Sequence, residues 1–388
     1  MLKKIILAFC LLLSSTAAAW AQYAPVAPAP IKVIYGFDRE FPPYTFQEPG
    51  GKPVGFEVDL VEAIFNGQNV NLQMRPLAWD MIQIELAGGQ ISFTSGMVKT
   101  RQRTELYSFS DRPTIAANIR FFTKNHNRVA NTSLLRGQSV AVEEKSYPQR
   151  LLEQYGGIII KPYKNRQDAL KALFQDDVYA YCGPEANAYY IMNKLKLTGI
   201  TAIGTPLKLS DMYFAVNKGR GDVLKMINEG MRRLVESGEY DRIYRKWFVQ
   251  EITDADRDKL IKTATAAAIG AYAPYSRQPT GAAVLTKAGK VFTGANVENA
   301  EPTLNISALR NALSTAAASG DMEVVAVVTT DAKGNVLPSS SEDRQFLYEF
   351  NRGALFILEE SKNSFVTKTA GELLPTPVVR KAVEELEE

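Results

Sequence analysis

The chain has 388 residues, 46% of them hydrophobic and 22% charged, with a formal net charge of +3 to which Lys3 and Lys4 contribute two. That length is too great for one ordinary compact domain and supplies material for more than one core. The near-neutral balance argues against a nucleic-acid or membrane-surface partner, and two cysteines, Cys10 and Cys182, exclude a disulfide framework.

Residues 1–21 read as a cleaved secretory leader: Lys3-Lys4, the apolar run Ile5 to Leu13, then Ala19-Trp20-Ala21 as a small-residue cleavage site. The apolar run is too short to span a membrane. Cys10 lies inside it and no cysteine stands directly after the cleavage site, so a lipid anchor is not expected. The expected location is the periplasm, with Cys182 as a single buried thiol. Residues 22–30 form a stiff Pro/Ala tether.

From Ile31 to about Gln250, short apolar strands alternate with amphipathic helices, the pattern of an α/β sheet. A strand is expected from Ile31 to Tyr35. A helix follows over Gly55 to Phe65, with Val58, Val61, Ile64 and Phe65 on one face. Val140 to Val142 reads as a buried strand. Asp222 to Val235 reads as a helix with Val223, Met226, Ile227, Met231 and Leu234 inward, and Tyr240 to Phe248 as an aromatic-rich closing helix. A charged bridge, Glu251 to Asp258, leads to a second unit. Its expected elements are a helix over Leu260 to Tyr272, strands Ala282–Leu285 and Val291–Thr293, a helix over Thr303 to Ser319, a strand Val324–Thr329 and a helix Ser341–Asn351. The lone histidine, His126, sits in a polar loop and is read as solvated.

Phe41-Pro-Pro-Tyr44, Gly55-Phe-Glu-Val-Asp-Leu60, Ser95-Gly-Met97 followed by Arg103, Phe109-Ser-Asp111 and the run Tyr240 to Phe248 together resemble the periplasmic solute-binding proteins for polar amino acids. The resemblance implies two α/β lobes joined by crossing strands within residues 31–250. Lobe one would be 31–112 plus 213–248, and lobe two 118–207. A solute would be buried as the lobes close. Arg103 would hold its carboxylate through a planar fork of donors. Phe41 and Trp79 would wall it in, Asp38 would accept hydrogen bonds from it, and backbone groups at Ser95, Gly96 and Met97 would add contacts. Two departures bear on the ligand. The hydroxyl position that supports the carboxylate is Val98, and the acidic residue for an α-amine falls at Pro184, with Glu185 next to it. Either Glu185 takes that role or the ligand has no α-ammonium. Tyr147 replaces a small residue and narrows the cleft.

Ala271-Tyr-Ala-Pro-Tyr-Ser276, Gly281-Ala-Ala-Val-Leu285, Gly294-Ala-Asn-Val-Glu-Asn-Ala300 and Ile306-Ser-Ala-Leu-Arg310 resemble the cytidine deaminases, with Leu373-Leu-Pro375 near the end. The resemblance implies a deaminase-like α/β/α domain over residues 255–388, after a two-lobed periplasmic-binding-protein fold. The enzymes carry a zinc-bound hydroxide on thiolates or imidazoles, yet no Cys or His occurs from Glu251 to Glu388. The ligand positions hold Ser307, and Ser340 and Asp343 when counted back from Arg344-Gln345. Counting forward from Pro338 gives Ser339 and Glu342 instead. Leu309 stands where the enzymes use a proton-transferring Glu. Asn296 and Glu298 remain at ribose-binding positions, but Gln278 replaces an aromatic. Arg310 is expected to pair with Asp343 or Glu342.

The expected function is capture of a small polar, carboxylate-bearing solute for an ABC permease or a membrane receptor. The C-terminal domain would be metal-free and non-enzymatic, serving self-association into a homo-oligomer or docking, and no cofactor is expected. The alternatives are a nucleoside sensor using both modules and, less favoured, an active cytidine deaminase.

Overall fold

The computed structural model describes residues 29–127, 132–374 and 377–378. The expected leader, most of the tether, Arg128 of the polar loop, Pro375 and the C-terminal end from Val379 lie outside the described residues.

Strand β1 (Ile31–Asp38) buries Val33, Tyr35 and Phe37 completely. It runs into a small antiparallel sheet of β2 (Glu40–Phe41), β3 (Thr45–Gln47) and β4 (Pro53–Val54). Helix α1 (Phe56–Phe65) starts after Gly55, whose φ of 138° and whose backbone, 2.2 Å from the Tyr44 carbonyl at the point a Cβ would occupy, admit only glycine. Strand β5 (Val70–Leu77) pairs parallel to β1. Helix α2 (Trp79–Ala87), β6 (Phe93–Val98), the short helix α3 (Arg101–Leu106) and β7 (Tyr107–Phe109) complete this part of lobe one.

Strand β8 (Ile115–Lys124) crosses to lobe two. There β9 (Ser139–Glu143), α4 (Tyr147–Tyr155), β10 (Ile159–Tyr163), α5 (Arg166–Phe174), β11 (Ala180–Pro184) and α6 (Glu185–Leu195) follow in α/β alternation. The 18-residue β12 (Ile200–Asn217) returns. Its first part pairs with β8, and its last residues pair with β6 and β7 of lobe one. The lobes therefore share one continuous sheet, ordered β10-β9-β11-β8-β12-β6-β1-β5 with β7 on β12. Helices α7 (Gly221–Glu236) and α8 (Glu239–Phe248) pack back on lobe one, where Val223, Ile227, Met231, Tyr240 and Ile243 join its core.

Helix α9 (Asp254–Ala268) begins inside the charged bridge because Thr253 and Asp256 form a capping box, and it ends four residues before Tyr272. Strands β13 (Thr280–Thr286) and β14 (Val291–Ala295) form a hairpin. Helix α10 (Ala308–Ala318) starts five residues later than its periodicity predicts. Pro302–Leu304 forms a 3-10 turn instead, and Ser307 caps the helix. Strand β15 (Val324–Asp331), α11 (Ser341–Phe350), β16 (Leu355–Ser361), β17 (Ser364–Thr369) and α12 (Ala370–Leu373) complete a sheet ordered β14-β13-β15-β16-β17. Ala282 and Val284 face α10 while Ala283 faces α9, so helices cover both sides. The sequence reading did not include β16 and β17.

The C-terminal domain sits on α8. The Arg352 guanidinium lies over Tyr240 and Tyr244, with centroids 4.8 and 5.1 Å away, and bonds Asp241 at 2.8 Å. Arg245 bonds the Thr367 carbonyl and hydroxyl at 3.1 and 2.7 Å.

Candidate functional site

The lobes are in contact across the cleft. Asn187 Nδ2 donates to the Pro42 carbonyl at 2.6 Å, Trp79 Nε1 to the Lys145 carbonyl at 3.4 Å, and the Phe46 and Tyr190 rings meet at 5.6 Å. Between them lies a cavity of about 40 Å³. Lobe one supplies Phe41, Trp79, Gly96, Val98 and Arg103 to its wall, and lobe two Glu143, Ser146, Tyr147, Arg166 and Tyr181. The crossing strands add Ala117, Ile119, Ser210 and Met212.

Arg103 is placed by α3, which Thr100 caps. It is 3% exposed. Nη1 donates to the Val98 carbonyl at 2.9 Å, and the guanidinium lies 5.5 Å over the Trp79 ring. Its Nε and Nη2 are buried and make no hydrogen bond in the protein. Burial, helped by the nearby Arg150 charge, lowers its pKa to about 10, so it stays cationic at neutral pH. A fixed cation with two unspent donors on a cavity wall is a receptor for an anion.

Gly96 lies on the same wall with φ 71°, and a Cβ there would come within 3.1 Å of Glu57 and 3.3 Å of Phe41. Beneath it the Glu57 carboxylate accepts from Thr114 Oγ1 at 2.5 Å, Ser95 Oγ at 2.8 Å and Gly96 N at 3.1 Å. Burial pushes Glu57 up to about 7 against those three donors. Ser95 and Met97 do not line the cavity. Ser95 Oγ is held between Glu57 and Tyr35, and Met97 packs in the core beside Ile82 and Leu86.

The acidic side of the cleft differs from expectation. Asp38 is off the cavity wall, and its carboxylate caps Glu40 N at 2.9 Å and accepts from Arg166 Nη1 at 3.0 Å. Glu185 is also off the wall. Its two oxygens accept from Arg120 Nη1 at 2.7 Å and Asn118 Nδ2 at 2.9 Å, so it is held by lobe two's own donors. The acid on the wall is Glu143 at the end of β9, 2.6 Å from Arg166 Nη2. Burial pushes Glu143 up, and the Arg166 charge pulls it back. Arg166 opens α5 after the Asn165 cap and stacks 4.2 Å over the Phe41 ring. Sequence reasoning did not single out Glu143 or Arg166. One signal was present: a cation at the first position of a helix opposes the helix dipole and needs carboxylates nearby.

In the C-terminal domain the register counted back from Arg344-Gln345 brings Ser307, Ser340 and Asp343 to the facing ends of α10 and α11. Ser307 Oγ donates to Asp343 Oδ1 at 2.5 Å and caps Arg310 N, while Ser340 Oγ caps Asp343 N. Arg310 Nε lies 3.2 Å from Ser307 Oγ and 3.7 Å from Asp343 Oδ1. These residues do not fit a zinc ion: two hydroxyls are spent as helix caps, and a guanidinium already neutralises the carboxylate. Leu309 is buried in the core. Asn296 bonds Thr280 N and the Gln278 carbonyl, and Glu298 accepts from Tyr275 N and Ser276 N, so both hold backbone. His126 is 66% exposed at its side chain, and Cys182 is free and buried.

The model of bacterial extracellular solute-binding proteins, family 3, matches residues 33–250, and that of the cytidine and deoxycytidylate deaminase zinc-binding region matches 233–338. The L-cystine-binding protein TcyJ of Escherichia coli is 23% identical over 224 residues, 57% of this chain and 84% of TcyJ. A cytidine deaminase of Mycobacterium tuberculosis is 36% identical over 122 residues, 31% of this chain and 89% of that enzyme. Among solved structures, an ancestral arginine-binding protein bound to glutamine is 29% identical with a TM-score of 0.52, covering 56% of this chain and 97% of its own. A histidine kinase sensor domain with similarity to periplasmic binding proteins, 24% identical with a TM-score of 0.53 over 57% of this chain and 97% of its own, shares the fold. Among the described residues no helix is long and apolar enough to cross a membrane.

Proposed function

The chain belongs to the bacterial extracellular solute-binding proteins of family 3 and carries a C-terminal domain of the cytidine deaminase family, and from that premise we propose that it captures a carboxylate-bearing, amino acid-like solute in the periplasm and presents it to an ABC permease or a membrane receptor. The observation that carries this reading is Arg103, a buried guanidinium with two unspent donors on an interlobe cavity. Phe41 and Trp79 wall that cavity, and Gly96 lets the backbone approach it. Glu143, in place of Glu185, is the acid available to a ligand amine.

The C-terminal domain serves association rather than chemistry. Leu309 cannot move a proton, and the Ser307–Asp343–Arg310 cluster occupies the metal position. Ile269, Tyr272, Tyr275, Leu304 and Ile306 are exposed on neighbouring segments, where Val297 bridges both Tyr272 and Ile306. Exposed apolar side chains grouped on such segments suit contact with a second copy. The nucleoside reading is less favoured, since Asn296 and one oxygen of Glu298 already hold backbone groups.

The test is calorimetric titration of the full chain with amino acids, organic acids and nucleosides, alongside zinc analysis and a cytidine turnover assay. Binding of an amino acid without zinc or turnover is expected. Stoichiometric zinc with turnover, or binding of nucleosides alone, would overturn the proposal.

A further inference from the structure

We propose that Arg166 is a cation built into the ligand cleft, occupying the slot a cationic side chain would fill and making the site selective for small neutral amino acids. This rests on the amino-acid reading of the cleft given above.

An aromatic face flanked by carboxylates is the chemistry that holds a guanidinium or ammonium group. The cleft contains such a slot, made by the Phe41 ring, Asp38 and Glu143, and the chain fills it itself. The Arg166 guanidinium stacks 4.2 Å over Phe41, with Nη1 3.0 Å from Asp38 Oδ2 and Nη2 2.6 Å from Glu143 Oε2. A weaker bond reaches the Glu40 carbonyl at 3.4 Å. The residue is 7% exposed, so this is not a solvated surface pair.

The position is not one that helix formation favours. Arg166 is the first residue of α5, where the dipole repels a positive charge. The two carboxylates offset that cost, and they come from different lobes. Arg166 thus closes one part of the cleft with lobe two's own cation on lobe one's Asp38.

What remains is about 40 Å³. One water needs roughly 10–15 Å³ on this measure, so the space holds only a few water-sized groups. Tyr147 and Trp79 narrow it further. The wall pairs the free donors of Arg103 with the Glu143 carboxyl, an acceptor for an amine. That pattern matches an α-carboxylate and an α-ammonium, with room for a short uncharged side chain. A second guanidinium or ammonium would meet Arg166 in its own slot.

The test titrates the full chain with glycine, L-alanine, L-serine, L-arginine and L-lysine, then repeats L-arginine and ethylguanidinium on Arg166→Ala. Wild type is expected to bind a small neutral amino acid and to ignore arginine and lysine at the same millimolar concentration. Arg166→Ala is expected to bind arginine and ethylguanidinium at least about tenfold more tightly than wild type, since hydrogen bonds to charged groups and the ring contact become available to the ligand. Arg166→Lys keeps a cation in the slot and should stay closed to arginine. Wild type that binds arginine or lysine as tightly as alanine overturns the proposal. So does a folded Arg166→Ala chain with no gain for either cation. If Arg166→Ala does not fold, recovery of its fold in ethylguanidinium supports the slot, and failure to recover counts against it. Should wild type bind no amino acid at all, the amino-acid reading fails, and the ethylguanidinium result still decides whether the slot exists.

Discussion

Replacing Arg103 with Met should separate binding from stability. In the empty protein Arg103 makes one hydrogen bond, to the Val98 carbonyl, and one ring contact, to Trp79. Losing a hydrogen bond to a charged group costs about 1.5–3 kcal/mol, and losing the ring contact about 0.5–2 kcal/mol. Against this, Nε and Nη2 are buried without partners. Each unsatisfied buried donor costs about 1–3 kcal/mol, and Met removes both while filling much of the same volume. The terms offset, so the stability of the empty protein should change by no more than about 2 kcal/mol in either direction. Binding behaves differently. A ligand carboxylate deprived of its buried cation loses about 2–5 kcal/mol, roughly thirtyfold to a few thousandfold in Kd. Calorimetric titration with the tightest amino acid found for wild type, paired with denaturant unfolding of the empty variant, reads both numbers. An unchanged Kd would refute the anion-receptor role. A loss of more than about 4 kcal/mol in the empty protein would show instead that Arg103 is a structural cation whose apparent free donors are compensated.

Glu57 predicts a pH dependence. Burial raises its pKa from 4.5 to about 7 in the folded chain, so the native state holds a proton that the unfolded chain releases between those values. Its contribution is therefore fully present below pH 4.5 and is lost as pH rises through about 7. The shift corresponds to a span on the order of 3 kcal/mol. Glu57→Gln should flatten the wild-type slope of stability in that window, measured by denaturant unfolding across pH, and an identical slope in both proteins would sink the assignment. In the C-terminal domain, the triple change Ser307→Cys, Ser340→Cys and Asp343→Cys places three thiols where the helix ends meet. It is expected to gain zinc, measured by metal analysis, without gaining cytidine turnover, because Leu309 still supplies no proton transfer. Turnover in the triple variant would show that the missing Glu is dispensable.

Much of the fold was legible because its signals are local. The apolar spacing of Val58, Val61, Ile64 and Phe65 marks α1, and that of Val223, Ile227 and Met231 marks α7; all of these are buried. The boundaries that moved have identifiable causes: the Thr253–Asp256 capping box lengthened α9 forward, and the Ser307 cap shortened α10. Strands β16 and β17 were not legible, since Leu355–Leu358 is a brief apolar run followed by Glu359 and Glu360, and only pairing with β15 and β17 makes it a strand. In the site, Arg103, Phe41, Trp79 and Gly96 were named from motif positions and do line the cavity. Glu185 was named because it neighbours the expected position, but Arg120, distant in sequence and paired with Gly183 across β8 and β11, reaches its carboxylate.

The sequence by itself determined the succession of helices and strands, the division into two units and the lack of thiolates and imidazoles in the second, because periodicity, caps and residue type are properties of neighbouring positions. Only the tertiary structure decided the acidic side of the cleft. Asp38 lies on lobe one and Glu143 and Arg166 on lobe two, far apart along the chain, and the three become one cluster only when the lobes meet. Which of several carboxylates is free to meet a ligand depends on which cations have already reached the others, and no local pattern records that competition.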